Sequence, residues 1–201
     1  KWKIKNIGKG WVLGETLLAG IGQGYYQTTP IQLCLMTAQL ANGGYKINPK
    51  IIYNEKDLQL TTTNREEKFK KLYRNQENIK FVLDAQFGAT NEPMGTSYRS
   101  RHVKSEYVYA GKTGTSQTRT ITEEERELQI KQKDLPYKRR DHALFTAFAP
   151  YKNPRYAFSI VIEHGGTGSS AAAPIGKKLV KKVLDRQHLR AKYQSELFQE
   201  I

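Results

Sequence analysis

The chain has few features that cross-link a small protein, bind a metal or anchor a chain in a membrane. Its 201 residues include one cysteine, Cys34, which excludes an intramolecular disulfide framework and a cysteine-rich zinc site. No run of about 18 apolar residues occurs, so no segment is predicted to span a membrane. None of the four histidines has metal-ligand spacing to another histidine, aspartate or cysteine. We therefore predict neither a metal nor a cofactor.

Acidic residues are scarce relative to basic ones. The chain has 19 Asp and Glu against 33 Lys and Arg, a formal net charge of +14. This excess could attract nucleic acid, an anionic membrane surface or an acidic polymer. The lysines are spread along the chain, which favours a solvated basic surface over a nucleic-acid groove. A nucleic-acid-binding module is the weaker alternative, and no nucleic-acid partner is expected.

The length and the first residues bear on domain organisation. A chain of 201 residues is long enough to bury the core of one domain. It begins with Lys1 rather than Met, which we interpret as a sign of a fragment, a processed product or a recombinant piece. The basic start and the apolar residues Trp11-Val12-Leu13 have some likeness to a signal peptide. Glu15 and the neighbouring glycines interrupt that apolar run too early.

Capping residues predict a helix near the start of the chain. Thr29 suits the N-cap, Pro30 the first helical position, and Gln32 the partner position of a capping box. The segment up to residue 41 is apolar on nearly every side, so we predict a buried helix with Cys34 inside it. The glycines at 20–24 ahead of it resemble a dinucleotide-binding turn, but no apolar strand precedes them, and we interpret them as a tight turn.

The middle of the chain is predicted to be a loop followed by helices. Residues 54–65 are polar and rich in threonine, which indicates a loop or a short hairpin. Apolar residues then recur at helical spacing, and we predict one or two amphipathic helices over 66–87. Turn-forming residues follow at 88–95.

The second half of the chain changes to strand periodicity. A polar stretch at about 119–141 is predicted to be exposed to solvent. We predict three strands and a terminal helix, at 106–113, 143–149, 156–162 and 174–185. Helices followed by strands and a final helix indicate an α+β fold, in which helices flank an antiparallel sheet.

The four residues Lys112-Thr113-Gly114-Thr115 lie at the end of the first predicted strand. They offer an ammonium group, two hydroxyls and a glycine that lets a ligand approach the backbone. The free edge of a strand pairs with an extended peptide and can aim an N–H at a developing oxyanion. The ammonium and the hydroxyls suit a terminal carboxylate. Such a short string also arises by chance, and a strand that ends in a turn is the alternative.

Several segments of the chain resemble, in order, the transpeptidase domain of elongation-type class B penicillin-binding proteins, the penicillin-binding protein 2 group. Lys-Thr-Gly is a signature of penicillin-binding proteins and serine β-lactamases. The matching segments are Gly20-Ile21-Gly22-Gln23-Gly24-Tyr25, Thr29-Pro30-Ile31-Gln32, Asn91-Glu92-Pro93-Met94-Gly95-Thr96, Ala110-Gly111-Lys112-Thr113-Gly114-Thr115-Ser116-Gln117, Asp141-His142-Ala143, Phe148-Ala149-Pro150-Tyr151 and Glu163-His164-Gly165-Gly166.

The resemblance implies a peptidoglycan D,D-transpeptidase that cross-links stem peptides during cell-wall elongation. In that family a serine attacks the penultimate D-alanine carbonyl, and the acyl group then passes to an amine of a neighbouring strand. β-Lactams acylate the same serine. By this resemblance Lys112 is the catalytic residue that hydrogen-bonds the Ser-x-Asn serine and holds positive potential in the cleft. Thr113 and Thr115 bind the substrate carboxylate, Gly114 permits its close approach, and the N–H of Thr115 forms half of the oxyanion hole.

Two of the family's three motifs are missing from the chain. No serine has Lys three residues later, as Ser-x-x-Lys requires, or Asn two residues later, as Ser-x-Asn requires. We expect both motifs to precede Gly20 in a longer protein, so residues 1–201 are interpreted as the C-terminal portion of a single transpeptidase domain. The isolated chain is expected to be inactive. A catalytically incomplete remnant or split-gene product is the alternative.

The resemblance also implies partners and a location for the longer protein. The expected partners are peptidoglycan stem peptides, β-lactams, the upstream part of the same domain and membrane proteins of the elongation machinery. The expected location is the periplasmic face of the inner (cytoplasmic) membrane, reached through an anchor upstream of this chain.

Overall fold

The computed structural model describes residues 1–51, 70–119 and 121–199. The predicted loop at 54–65 and the beginning of the predicted helical segment at 66–69 lie outside the described residues. The helices are α1 (Trp2–Ile7), α2 (Leu13–Gly20), α3 (Pro30–Ala41), α4 (Gln76–Asn91), α5 (Glu123–Glu127) and α6 (Ala173–Gln199). The strands are β1 (Ala110–Ser116), β2 (His142–Ala149) and β3 (Tyr156–Ile162).

The three strands form an antiparallel sheet in the order β1-β2-β3. In its register Thr113 lies opposite Phe145, and Phe145 lies opposite Ile160. Consecutive strands therefore pair with each other, as the short connection between β2 and β3 predicts. The predicted α+β fold with an antiparallel sheet flanked by helices is confirmed.

Helix α6 covers one face of the sheet and contributes most of the buried core. Val180 and Leu184 of this helix pack with Phe145 and Ala147 of β2, and all four are buried. Side chains of a strand alternate between the faces, so every second residue of β2 reaches this helix. Gly176 allows the helix to come close, because a Cβ there would lie 2.7 Å from the Phe145 ring.

Helix α3 packs on the sheet from the other side, against β3 and β2. Its start is capped as predicted, with the N–H of Gln32 donating to Thr29 Oγ1 (3.4 Å) and the N–H of Thr29 donating to Gln32 Oε1 (2.8 Å). The prediction that the whole helix is buried is wrong, because Ile31 and Met36 are 64% and 46% exposed. The helix covers the sheet with one face only, and the opposite apolar face has no cover among the described residues. Cys34, on the inner side, is half-buried and donates to Ala157 O (3.4 Å).

Several predicted boundaries differ from the structure. The helix predicted within 66–87 begins at residue 76 and continues to residue 91, past the turn expected at 88. The strand predicted at 106–113 lies at 110–116, because pairing with β2 begins only at Ala110, opposite Phe148. Residues 105–107 form a 3-10 turn instead. The terminal helix extends to residue 199 rather than 185.

The polar stretch between β1 and β2 is mostly exposed, as predicted, but it is held together by internal bonds. Glu125 accepts hydrogen bonds and ion pairs from Arg119 and from Arg139, whose Nη2 lies 2.8 Å from Glu125 Oε1. Asp141 is buried and accepts from the N–H of Thr118 (3.1 Å) and from Gln132 Nε2 (2.7 Å). These bonds tie the stretch to the adjoining ends of β1 and β2.

The C-terminal end of α4 covers the first part of the outer edge of β1. Thr90 is fully buried. Its Oγ1 accepts from the N–H of Gly111 (3.1 Å) and lies in position to donate to Gly111 O (3.2 Å). One side chain thus satisfies both backbone groups that a further strand would otherwise pair. Asn91 Nδ2 donates to the carbonyl of Tyr109, two residues before Gly111 (2.9 Å).

No helix in the described part of the chain is both long enough and apolar enough to cross a membrane. Within the same residues, no group of three or more potential metal-ligating side chains comes together.

Replacing Thr90 with Val should lower the free energy of unfolding by about 3 kcal/mol. The two side chains have nearly the same shape, but Val leaves the N–H and C=O of Gly111 buried without a partner. Urea unfolding followed by circular dichroism measures the change. Thr90→Ser keeps the hydroxyl and is expected to cost only about 1 kcal/mol. A Val variant as stable as the Ser variant would contradict this role of the hydroxyl.

Acidification should lower the stability of the fold through protonation of Glu125. The hydrogen bond from Arg119, followed by that from the N–H of Thr122, holds the pKa of this carboxyl below its ordinary 4.5. A carboxyl with a lowered folded pKa stabilises the fold above the unfolded pKa, and this contribution is lost as the pH falls through the folded pKa. Thermal unfolding from about pH 6 to about pH 3 should show a smaller loss of stability in Glu125→Gln than in the parent chain.

The matched control for this experiment is Glu127→Gln, since Glu127 is exposed on the same short helix. Its unfolding should follow the parent chain across the whole pH range. Identical pH dependence in all three proteins would refute the contribution assigned to Glu125.

Candidate active site

The predicted site residues Lys112, Thr113, Gly114 and Thr115 form the second part of β1, an outer strand of the described sheet. The backbone groups of Gly111 face Thr90, away from β2. Because backbone groups alternate in direction along an antiparallel strand, the N–H groups of Thr113 and Thr115 face the same side. Neither of these two N–H groups has a hydrogen-bond partner among the described residues. This half of the strand edge is therefore open.

The side chains of the site lie on both faces of β1. Lys112 is exposed, and its Nζ donates to Thr113 O (2.8 Å) on the open edge. No carboxylate in the described part of the chain lies within ion-pair distance of this ammonium. Lys112 also lines an open groove of about 540 Å³, together with α4 and the segment 92–96. Asp84 and Glu92 line the same groove, so it carries charges of both signs.

Thr113 projects from the opposite face of the strand and contacts a residue that the sequence reasoning did not place in the site. Thr96 Oγ1 lies 2.8 Å from Thr113 Oγ1, so the two hydroxyls share a hydrogen bond. Thr96 belongs to the Asn91–Thr96 segment, and its position in that matched segment was the available signal. The shared bond orients the Thr113 hydroxyl at the edge of the site.

Close backbone packing brings Thr96 to β1. A Cβ on Gly95 would lie 2.4 Å from Ala89 O, so only glycine lets this loop approach the end of α4 so closely. The next residue, Ser97, is buried, and both its N–H (3.0 Å) and its Oγ (2.9 Å) donate to the same carbonyl. The end of α4 therefore positions both Gly111, through Thr90, and Thr113, through Thr96.

The glycines in and near β1 have different surroundings. A Cβ at Gly111 would lie 2.5 Å from Thr146 O, and a Cβ at Gly168 would lie 2.3 Å from Leu144 O, so both positions allow close backbone packing. A Cβ at Gly114 would instead meet only Leu144 Cβ, at 3.4 Å. Packing within the described residues therefore does not require glycine at position 114.

His142 and His164 contact each other at the far end of the sheet. The N–H of His164 donates to His142 Nδ1 (2.9 Å), so that nitrogen carries no proton. His164 Nδ1 lies 2.9 Å from Arg140 O and donates to it, because a carbonyl only accepts. The Glu163–Gly166 segment thus closes the end of β3 against β2.

The arrangement can bind and polarise, but it has no nucleophile of its own. The open N–H of Thr115 can donate to an oxyanion, and Lys112 with the threonine hydroxyls can hold a carboxylate. No serine of the chain has the lysine that activates it in Ser-x-x-Lys spacing. The open strand edge therefore offers hydrogen-bond donors and a cation to a ligand, without a serine in Ser-x-x-Lys spacing.

The chain belongs to the penicillin-binding protein transpeptidase family, whose domain model matches residues 3–181. Among curated proteins, the peptidoglycan D,D-transpeptidase MrdA of Salmonella typhimurium is 35% identical over 188 residues, which cover 92% of this chain. The Escherichia coli K12 protein of the same name is 31% identical over 193 residues and 92% of the chain.

Solved structures of penicillin-binding protein 2 share the fold. The complex of the Helicobacter pylori protein with MreC superimposes with a TM-score of 0.70 at 28% identity and covers 93% of this chain. The Pseudomonas aeruginosa protein in complex with WCK 5153 gives 0.65 at 34% identity over 88% of the chain. The chain spans about a third of each of these proteins, 30% of the Salmonella protein and 34% of the Pseudomonas chain.

Alanine should have opposite consequences at two glycines of β1. Gly111→Ala is expected to lower the free energy of unfolding by about 2 kcal/mol, because its Cβ collides with the backbone of β2. Gly114→Ala should change it by less than about 1 kcal/mol, since the added methyl makes an ordinary contact. Urea unfolding of the two variants side by side tests this. A Gly114 variant as unstable as the Gly111 variant would show that glycine is structural at both positions.

Proposed function

We propose that this chain is the C-terminal part of the transpeptidase domain of a peptidoglycan D,D-transpeptidase acting in cell-wall elongation. The observation that carries the proposal is the open half of β1, where the Lys112 ammonium has no carboxylate partner and the N–H of Thr115 has no hydrogen-bond partner among the described residues. The family and the relatives' names support the same reaction.

In the proposed reaction each group of β1 has a defined task. A serine from the rest of the domain attacks the penultimate D-alanine carbonyl of a stem peptide. The N–H of Thr115 and that of the serine donate to the resulting oxyanion. The terminal D-alanine leaves with a proton on its amine, and the acyl group then passes from the serine to an amine of a second peptide. The Lys112 ammonium supplies positive potential in the cleft, Thr113 and Thr115 hold the terminal carboxylate, and Gly114 leaves room for it.

The exposed apolar surface supports the proposal that the rest of the domain packs against this chain. Trp2 of α1, Leu13 of α2 and Phe81 of α4 are 59%, 78% and 76% exposed. Large apolar side chains in such numbers on a surface are typical of an interface. The outer face of α3 adds Ile31 and Met36 to the same kind of surface. We propose that the segment carrying Ser-x-x-Lys and Ser-x-Asn covers these side chains.

The proposed partners and location follow from the relatives. The Helicobacter pylori protein forms a complex with MreC, which supports partners from the elongation machinery for the longer protein. The reaction acts on peptidoglycan, so we propose the periplasmic face of the inner membrane as the location of that protein. β-Lactams would react at the same serine, since they imitate the D-Ala-D-Ala end.

Penicillin acylation should require both halves of the site. The isolated chain should gain no mass with benzylpenicillin, because it lacks the serine. A chimera in which this chain replaces the corresponding C-terminal part of the Salmonella typhimurium relative should gain one penicillin per molecule. Intact-mass spectrometry measures both. A folded chimera that is never acylated, or a stable adduct on the isolated chain, would contradict the proposal.

The same chimera tests the role of Lys112. We expect Lys112→Gln to slow acylation about a hundredfold, because the cleft loses its positive charge. Lys182→Gln is the matched control, as Lys182 is an exposed lysine of α6 that does not line the groove beside β1. Equal acylation rates for the two variants would show that Lys112 has no role in the site.

A further inference from the structure

A second groove, here called the basic groove, lies between the segment 93–102 and the first turns of α6. Its volume is about 800 Å³. The basic side chains that line it are Arg99, Lys177, Lys178 and Lys181. Hydroxyls of Thr96, Ser169 and Ser170 line it as well. Donors of both kinds, charged and neutral, therefore surround one cavity.

Most of the positive charge in the basic groove is uncompensated. Lys181 Nζ lies 2.6 Å from Asp185 Oδ2 and is neutralised by it. Among the described residues, Arg99, Lys177 and Lys178 have no carboxylate within ion-pair distance. Three cations that share one concave surface repel each other, and an anionic ligand with more than one charge relieves this repulsion.

Hydrogen bonds and a stacking contact that do not involve the groove's charged groups hold the wall of the basic groove in place. His102 Nε2 lies 2.8 Å from Lys177 O and donates to this carbonyl, which ties the segment 93–102 to α6. The Arg101 guanidinium stacks on the Tyr98 ring at 3.6 Å, and its Nη1 donates to Tyr98 O (3.1 Å). The groove is therefore formed before any ligand arrives, which lowers the entropic cost of binding.

The basic groove adjoins the candidate active site. Thr96 lines the basic groove and also the groove beside Lys112, and its hydroxyl bonds to that of Thr113. Gly168, just ahead of Ser169, packs directly on the backbone of β1 and β2. A ligand that lies along β1 can thus extend past Thr96 into the basic groove without leaving the surface.

We propose that the basic groove binds the side-chain carboxylates of a peptidoglycan stem peptide engaged at β1. This inference rests on the proposed function, which supplies the peptide. An acidic stem peptide carries free carboxylates beyond its terminal one, and Arg99, Lys177 and Lys178 would supply cations for them. The groove then selects peptides by their carboxylates, a task distinct from that of Lys112 and Thr115.

Fluorescence anisotropy of a labelled stem pentapeptide on the full 201-residue chain tests this inference. The probe carries free carboxylates on its glutamate and diaminopimelate residues, and a second probe has both of them amidated. The double variant Lys177→Gln, Lys178→Gln should weaken binding of the acidic probe about tenfold and leave the amidated probe within twofold. Lys182→Gln, with the same charge change outside the groove, should bind the acidic probe within twofold of the parent chain.

Other outcomes would overturn the inference. Equal affinity for the two probes, equal weakening by Lys182→Gln, or no saturable binding each contradict a carboxylate-specific groove. A further contrary result is that single-stranded nucleic acid or anionic lipid vesicles bind more tightly than the acidic probe and lose that binding in the double variant. This result would assign the groove to that ligand. Circular dichroism of each variant confirms that it is folded.

Penicillin acylation of the chimera separates this inference from the proposed function. The drug has no counterpart of the stem carboxylates, so the double variant should be acylated within twofold of the parent rate. Normal acylation with unchanged peptide affinity would refute only the basic groove. A folded parent chimera that is not acylated would refute the proposed function itself.

Discussion

The contact between Thr90 and Gly111 determines which backbone groups at the outer edge of the sheet are covered and which stay open. An outer strand exposes alternate N–H and C=O groups, and these either pair or attract another chain. Thr90 pairs those of Gly111 with a single hydroxyl, where a further strand would also have covered Thr113 and Thr115. Because the covering group is a side chain at the end of a helix, the protection stops there, and the N–H groups of Thr113 and Thr115 on the same edge stay open.

The surroundings of that edge follow from close packing. Glycines at 95, 111 and 168 let a loop, a strand and a turn approach one another at distances that exclude a Cβ. These contacts bring the Thr96 hydroxyl to Thr113 and place the start of α6 beside the sheet. The same helix supplies Val180 and Leu184 to the core. It also supplies Lys177 and Lys178 to the basic groove, so one element both stabilises the fold and places positive charge next to the site.

Local signals in the sequence were sufficient to predict some elements of the fold. The capping box at Thr29 and Gln32 is local, since its bonds join residues three apart, and it was predictable. The strands at 143–149 and 156–162 are continuous apolar runs with a short turn between them, and they agree with the structure to within one residue. The predicted strand at 106–113 was displaced because its limits depend on pairing with β2, whose residues lie from 26 positions (Ser116 with His142) to 38 positions (Ala110 with Phe148) further along the chain. Helices α1 and α2 have too few turns to give a clear period.

The sequence by itself determined the family, the position of Lys112-Thr113-Gly114-Thr115 on a strand and the excess of positive charge, because motif order, strand periodicity and composition are properties of the chain. Only the tertiary structure decided that Thr90 closes one half of that strand's edge, that Thr96 meets Thr113, and that Arg99 faces Lys177 and Lys178 across a groove. Those contacts join residues 17 to 79 positions apart, and only the packing of α4 and α6 on the sheet brings them together.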